Sequence, residues 1–389
     1  MKKLVFLFLI LSFFLASCEK EDTPELPVVQ RTVFVYMPWS TDLLTYFEKN
    51  LDDMEAAIGR GILKNERVLV FLSTTSKNAT LFELQYQNDK CVRNTLKTYE
   101  SPAFTTAAGI TSILNDVKSY APANSYSMII GSHGLGWIPV SSVSTRSVGE
   151  QRMHWDGQGT HRTRLFGGKT SEFQTDVTTF AQGIEDAGLK MEYIMFDDCY
   201  MSCVEVAYDL KDITHYLIGC PTEIMVHGMP YEDMCKYLFG EVDYAGICEV
   251  FLDFYQNYES PYGTIGVTDC SELDELATIM KEINSKYTFD ASLLNSVQIM
   301  DGYSPVIFFD FGDYVAKLCP DQDLLNKFNA QLNRTVPPAF KSHTEYFYTA
   351  VGYGRKVKIN TYSGITISDI STHRYAAKKA ETAWYKATH

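Results

Sequence analysis

Basic residues are scarce: 34 Lys and Arg stand against 48 Asp and Glu, a formal charge of −14 over 389 residues. Nucleic-acid phosphates call for basic patches, so nucleic-acid binding is excluded as the main function, while a cationic substrate is compatible. No internal repeat is evident, which sets aside solenoids and propellers. The apolar run over residues 4–17 is too short to cross a bilayer, which takes about 20 residues. Nine cysteines are present, and apart from Cys18 none sits in a closely spaced framework. Most of Cys91, Cys203, Cys220, Cys235, Cys248, Cys270 and Cys319 therefore read as core residues, although a secreted protein can pair some. His154 and His161 have no cysteine or carboxylate spacing that supports a metal site, and no EF-hand loop occurs. Residues 166–170, FGGKT, look like the end of a phosphate-binding loop, but Thr163 stands where its first glycine is required, so nucleotide binding is set aside.

What is present begins with a leader. Lys2 and Lys3 precede the apolar run, the pattern of a signal peptide over residues 1–17. Leu15-Ala16-Ser17-Cys18 resembles a bacterial lipobox, which would make Cys18 the acylated first residue of the mature chain; a plain secretory signal is the alternative. Acyl chains contribute about 0.8 kcal/mol per buried methylene, enough for multiple chains to anchor stably. Glu19, Glu21 and Asp22 resemble the surface-export signal of Bacteroidetes lipoproteins, or else form a solvated tether. The expected location is the outer membrane, lipid-anchored and facing the cell surface. Pro24 and Pro27 make residues 18–31 an extended linker.

The remaining residues are 46% apolar by whole-chain composition, enough for a sizeable core. Strand-like runs at residues 32–37 and 67–74 flank a helical pattern at 43–62. With further strands ending near Gly131 and Asp197, this is the alternation of a mostly parallel sheet covered by helices. Residues 81–87 alternate weakly and suit an edge strand or hairpin arm. Residues 235–258 are helical in pattern. Residues 261–389 make a smaller C-terminal subdomain, with strands near 262–267 and 306–309 and helices at 272–287 and 374–388.

Chemistry concentrates at two strand ends. Residues 193–196 form a short apolar run that ends abruptly in Asp197, Asp198 and Cys199, and a helical pattern starts at Ser202. Ligands of open α/β sheets bind at the carboxyl ends of strands, so Cys199 is a candidate nucleophile. Strand periodicity puts Asp197 and Cys199 on one side and Asp198 on the other. Taken alone, Cys199 is more readily a buried core residue. A second strand, 126–131, ends in Ser132-His133-Gly134-Leu135-Gly136, which places His133 as a general base and lets backbone approach the glycines. An ordinary thiol, with a pKa of about 8.5, is mostly protonated at neutral pH, so a cysteine nucleophile needs such a partner.

The pair His133-Gly134-x-Gly136 and Asp197-x-Cys199 resembles clan CD cysteine peptidases, and among them the clostripain family. Residues 204–208 (VEVAY), Pro221-Thr222-Glu223, Gly228, Pro230, Tyr231, the opening TVFVYM and the closing TAWYKA at 382–387 are similar to that family too. One departure is Asp198, where the family usually carries a small residue.

The resemblance implies a caspase-like α/β/α sandwich over residues 32–260 and a cysteine endopeptidase cutting after Arg or Lys through a thioester. It implies Cys199 as nucleophile, His133 as general base and acid, the Gly134 and Cys199 N–H groups as oxyanion donors, and Asp197 at the base of the specificity pocket. Thr222 and Glu223 would help to wall that pocket. Asp197 has an alternative role as cap of the following helix. Residues 141–170 would be an activation loop of a self-cutting zymogen, with Arg146 as the candidate site; a merely solvated loop is the alternative. The chemistry requires no cofactor, though family resemblance allows calcium. Expected partners are Arg- or Lys-containing proteins or peptides, with the enzyme a monomer. Two other functions stay open: a surface binding lipoprotein that kept the fold and lost turnover, supported by Asp198, and a clan CD peptidase of non-basic specificity.

Overall fold

The computed structural model describes residues 27–40, 42–142, 167–168, 171–352 and 354–389. The chain runs through β1 (Val29–Met37), α1 (Leu44–Gly59), β2 (Glu66–Ser73), β3 (Asn78–Gln87), β4 (Lys90–Glu100), α2 (Ala107–Tyr120) and β5 (Ala123–Gly131). Then come α3 (Val177–Asp186), β6 (Met191–Asp197), α4 (Val204–Leu210), β7 (Thr214–Gly219), α5 (Tyr231–Leu238), α6 (Tyr244–Asn257), β8 (Thr264–Asp269) and α7 (Leu273–Lys286). The remainder holds β9 (Phe309–Asp310), α8 (Phe311–Leu318), α9 (Gln322–Thr335), β10 (Lys341–His343), β11 (Tyr346–Thr349), β12 (Arg355–Lys358), β13 (Thr366–Ile367) and α10 (Ala383–Thr388).

Among the described residues the main sheet has nine strands in the order β10-β8-β7-β6-β5-β1-β2-β3-β4. The five central strands are parallel, and antiparallel strands extend both edges. Helices α1, α5 and α6 pack together in one group and α2, α3 and α4 in another, flanking the sheet. Residues 33–37 and 193–196 are buried on both strand faces, as expected of central parallel strands written as unbroken apolar runs. The strand order reverses at β1, which lies between β2 and β5, and open α/β sheets bind ligands at the carboxyl ends beside such a reversal.

Three elements depart from sequence expectation. Asn88 and Asp89 both have positive φ, 52° and 59°, the backbone of a two-residue hairpin turn that leads into the polar edge strand β4. The helical pattern over 235–258 is two helices. Gly240, at φ 72°, turns the chain between them, and the Asp243 side chain accepts the Gly246 N–H to start the second. The closing segment is a 3-10 helix, Arg374–Glu381, followed by α10, whose first turn is capped by Thr382.

Residues beyond 260 supply β8 and β10 to the main sheet. They also bind the chain just after β6: Thr366 N–H donates to Ser202 O and the Ser202 hydroxyl to Gly364 O, at 3.1 and 2.8 Å. Trp384 is fully buried, edge-on to Tyr208 of α4 and Phe311 of α8. No helix among the described residues is long and apolar enough to cross a membrane.

Candidate active site

Gly131 and Asp197 are register partners at the ends of β5 and β6. His133 and Cys199 each lie two residues further on, so strand periodicity turns them to the same side. Both are buried. The turns that carry them touch at Gly134, where a Cβ would stand 2.2 Å from the Cys199 carbonyl oxygen and 2.8 Å from its nitrogen. Only glycine permits that approach.

A third strand end supplies a residue the sequence did not single out. Asp42 follows β1, the neighbour of β5, and its Oδ1 lies 3.0 Å from His133 Nε2. Asp42 is 41% exposed while His133 is 1% exposed, so the carboxylate meets solvent and the imidazole does not. A carboxylate on one ring nitrogen fixes the tautomer and orientation of the ring. The signal in the sequence would have been an acidic residue shortly after the first strand, at the point where the strand order reverses.

The two aspartates beside Cys199 have separate partners, as the alternation predicts. Asp198 is fully buried: its Oδ1 accepts the Ser132 N–H at 2.6 Å and its Oδ2 the Ser132 hydroxyl at 3.0 Å. The same serine oxygen accepts the Gly167 N–H at 3.3 Å, and His133 N–H donates to Gly167 O at 3.4 Å. Asp197, equally buried, accepts the Met229 N–H and the Tyr231 hydroxyl, each at 3.1 Å, and so holds the loop between β7 and α5. It does not cap the following helix, whose N-cap is Cys203 without a side-chain bond.

Thr222 and Glu223 lie in that loop and are buried. Thr222 shares a 2.7 Å hydrogen bond with Thr264. Glu223 Oε1 accepts the hydroxyls of Tyr200 and Thr349, and Oε2 accepts the Ala350 N–H. Burial pushes the Tyr200 and Tyr303 phenols well above their usual range, and Cys199 lies near enough to both to oppose their ionisation further.

Burial drives the Cys203, Cys235, Cys248 and Cys270 thiols upward, which keeps them protonated and inert. No disulfide joins any of the eight described cysteines. A cleft of about 480 Å³ lies beside Trp137, Asp176, Asp209, Lys378 and Lys386, apart from Cys199, His133 and Asp197. No group of three or more His, Cys, Asp or Glu among the described residues is placed to hold a metal ion. Cys18, the leader, and Arg146 with residues 143–166 lie outside the described residues.

The model of the clostripain family matches residues 35–368. A secreted C11 cysteine protease from Bacteroides thetaiotaomicron, "iotapain", is 59% identical with a TM-score of 0.86, over 94% of this chain and all of its own. A clostripain from Bacteroides thetaiotaomicron, solved with the peptide inhibitor BTN-VLTK-AOMK, is 66% identical over 58% of this chain and 99% of its own, with a TM-score of 0.56. An inactive zymogen C11 protease from Parabacteroides distasonis is 28% identical with a TM-score of 0.76, over 94% of this chain and 99% of its own. No curated protein sequence matches. With its family match spanning most of its length and its α/β/α sheet, the chain belongs to the clostripain family of cysteine proteases.

Proposed function

We propose that the protein is an endopeptidase that cuts after Arg or Lys with Cys199 as nucleophile and His133 as its proton-transfer partner. The observation that carries this reading is the register of β5 and β6, which sets the two residues at equal distance past a paired Gly131 and Asp197. Cys199 Sγ passes its proton to His133 and attacks the substrate carbonyl carbon, and the N–H groups of Gly134 and Cys199 receive the oxyanion. His133 gives its proton to the leaving amine as the C–N bond breaks and a thioester forms. Water then attacks the thioester while His133 takes its proton, and the acid product leaves as the thiol is restored. Asp42 holds the imidazole in orientation. Removing one oxyanion donor typically costs roughly 2.7–4 kcal/mol.

Specificity for a basic residue is assigned to Asp197. Its oxygens accept the Met229 N–H and the Tyr231 hydroxyl, and a carboxylate has further lone pairs to accept hydrogen bonds from a basic side chain. The relative solved with BTN-VLTK-AOMK, whose peptide part ends in lysine, supports this choice, as does the formal charge of −14. Asp198 is engaged by Ser132, which weakens its support for a chain that lost turnover. Non-basic specificity stays the second reading. Self-cutting at Arg146, acylation at Cys18 with outer-membrane attachment, and a monomeric state complete the proposal. The relative described as secreted supports export. No step is routed through calcium.

The test is mass spectrometry of the purified protein beside Cys199→Ala, with paired Arg, Lys and Asp peptide reporters. Cleavage after a basic residue in 141–170 and hydrolysis of the Arg or Lys reporter by the wild type alone support the proposal. Hydrolysis of only the Asp reporter moves specificity to the second reading, and identical silent proteins remove catalysis.

A further inference from the structure

We propose that Tyr200 is a positioning residue for Cys199, and that Glu223, Thr349 and Phe308 form the socket that holds it. The proposal rests on Cys199 being the nucleophile. Tyr200 directly follows that cysteine and has φ 62°. A bulky side chain in the left-handed region is an outlier, and it persists only where its surroundings over-determine it.

The surroundings do so from several directions. The Tyr200 N–H donates to Thr222 O at 3.0 Å, and its hydroxyl donates to Glu223 Oε1 at 2.7 Å. Glu223 is itself tied by the Thr349 hydroxyl at 2.5 Å and the Ala350 N–H at 3.0 Å. The fully buried Tyr200 ring stacks on Phe308, with centroids 5.0 Å apart and planes 15° from parallel. Phe308 is fixed in turn by Asp301, whose Oδ2 accepts the N–H groups of Ile307 and Phe308 while its Oδ1 accepts that of Tyr303.

The socket reaches both halves of the candidate dyad. A Cβ at Gly136 would meet the Phe308 ring at 2.8 Å and the Tyr200 carbonyl oxygen at 3.1 Å. The turn after His133 and the turn after Cys199 are therefore packed on the same two aromatic residues. Rotation of the strained peptide at Tyr200 would move the Cys199 carbonyl, which already abuts Gly134. Losing the Glu223 anchor should let that turn relax and swing the thiol away from His133. This gives residues near 301–308 and 349–350 a task in catalysis by remote orientation, and it turns the Glu223 oxygens inward to Tyr200 rather than outward to a substrate.

The experiment uses the full-length protein with Tyr200→Phe, Thr349→Val and Glu223→Gln. Tyr200→Phe keeps the buried ring and removes only the hydroxyl, so it should fold. Readouts are kcat and KM on Arg and neutral peptide reporters, the pH profile of Cys199 alkylation by iodoacetamide, and the melting temperature. Tyr200→Phe is expected to lose about tenfold in kcat with KM within about twofold, on the scale of one lost hydrogen bond to a charged group. The alkylation profile should move to higher pH, and Thr349→Val should follow in the same direction. Unchanged kcat and unchanged profile in both, with active wild type, overturn the positioning role. A Glu223→Gln effect confined to KM for the Arg reporter also overturns it, because the carboxylate would then contact substrate. A wild type whose Cys199 resists both basic and Asp peptide acyloxymethyl ketones overturns the nucleophile assignment itself, and the positioning role with it.

Discussion

Gly134 lies so close to Cys199 that a single methyl group at residue 134 would stand 2.2 Å from the Cys199 carbonyl oxygen. The contact joins the ends of two neighbouring parallel strands, and it explains why a glycine must follow His133. Gly134→Ala should therefore force the turns apart. The expected result is a loss of about 10²–10³ in kcat, the scale of one oxyanion donor, with a stability cost of about 1–3 kcal/mol from overpacking. Steady-state kinetics and denaturant unfolding would check both.

Asp42 touches His133 across solvent-facing ground. Asp42→Asn keeps a hydrogen-bonding group but removes the charge that favours an imidazolium. A fall in kcat of about tenfold is expected, a small part of the roughly 10²–10⁴ that general acid–base catalysis supplies. Since Asp42 is 41% exposed, salt should screen its effect in the wild type and leave the variant less salt-sensitive. Rates measured from low to high ionic strength decide this.

Asp198 satisfies the buried Ser132 N–H and hydroxyl. Asp198→Ala should cost about 1–3 kcal/mol in stability, because the serine groups lose their acceptor. If Asp198 instead suppressed the thiol, the same variant would gain activity. Comparing its Cys199 alkylation rate and its unfolding midpoint with the wild type separates these results.

Among the carboxyl groups raised by burial, Glu205 is pushed to about 8, Asp301 and Asp369 to about 7, and Asp209 to about 6. Each binds its proton more tightly folded than unfolded. Their contribution therefore favours the folded state at low pH and is withdrawn as pH rises from about 4 toward 8. Thermal melts should show a lower midpoint at pH 8 than at pH 6, and Glu205→Gln should flatten that slope. A midpoint rising with pH over this window would contradict the assignment.

The parallel core and the placement of His133 and Cys199 were legible because central strands are unbroken apolar runs that stop at polar residues. The two side chains follow such stops directly. Edge strand β4 was missed for the opposite reason: exposed and carrying Lys90, Arg93 and Lys97, it lacks an apolar stripe. Asp42 was missed because its contact with His133 spans 91 residues and exists only once β1 pairs with β5. Glu223 and Thr349, 126 residues apart, meet on the same principle. Long-range polar contacts leave no local period in the sequence, so the contacts of Phe308, Thr349 and Ala350 around Tyr200 and Glu223 are visible only in three dimensions. The break at Gly240 had a local signal, a glycine inside a helical pattern, that the strong aromatic periodicity around it concealed.

The most direct measurement is peptide mapping after labelling with paired acyloxymethyl ketones, one ending in Lys or Arg and one in Asp, on the wild type and Cys199→Ala. A basic-residue adduct on Cys199, absent from the variant and from the Asp reagent, is the expected result. An adduct on another cysteine, equal labelling of both proteins, or labelling by the Asp reagent alone would contradict a Cys199 protease of basic specificity.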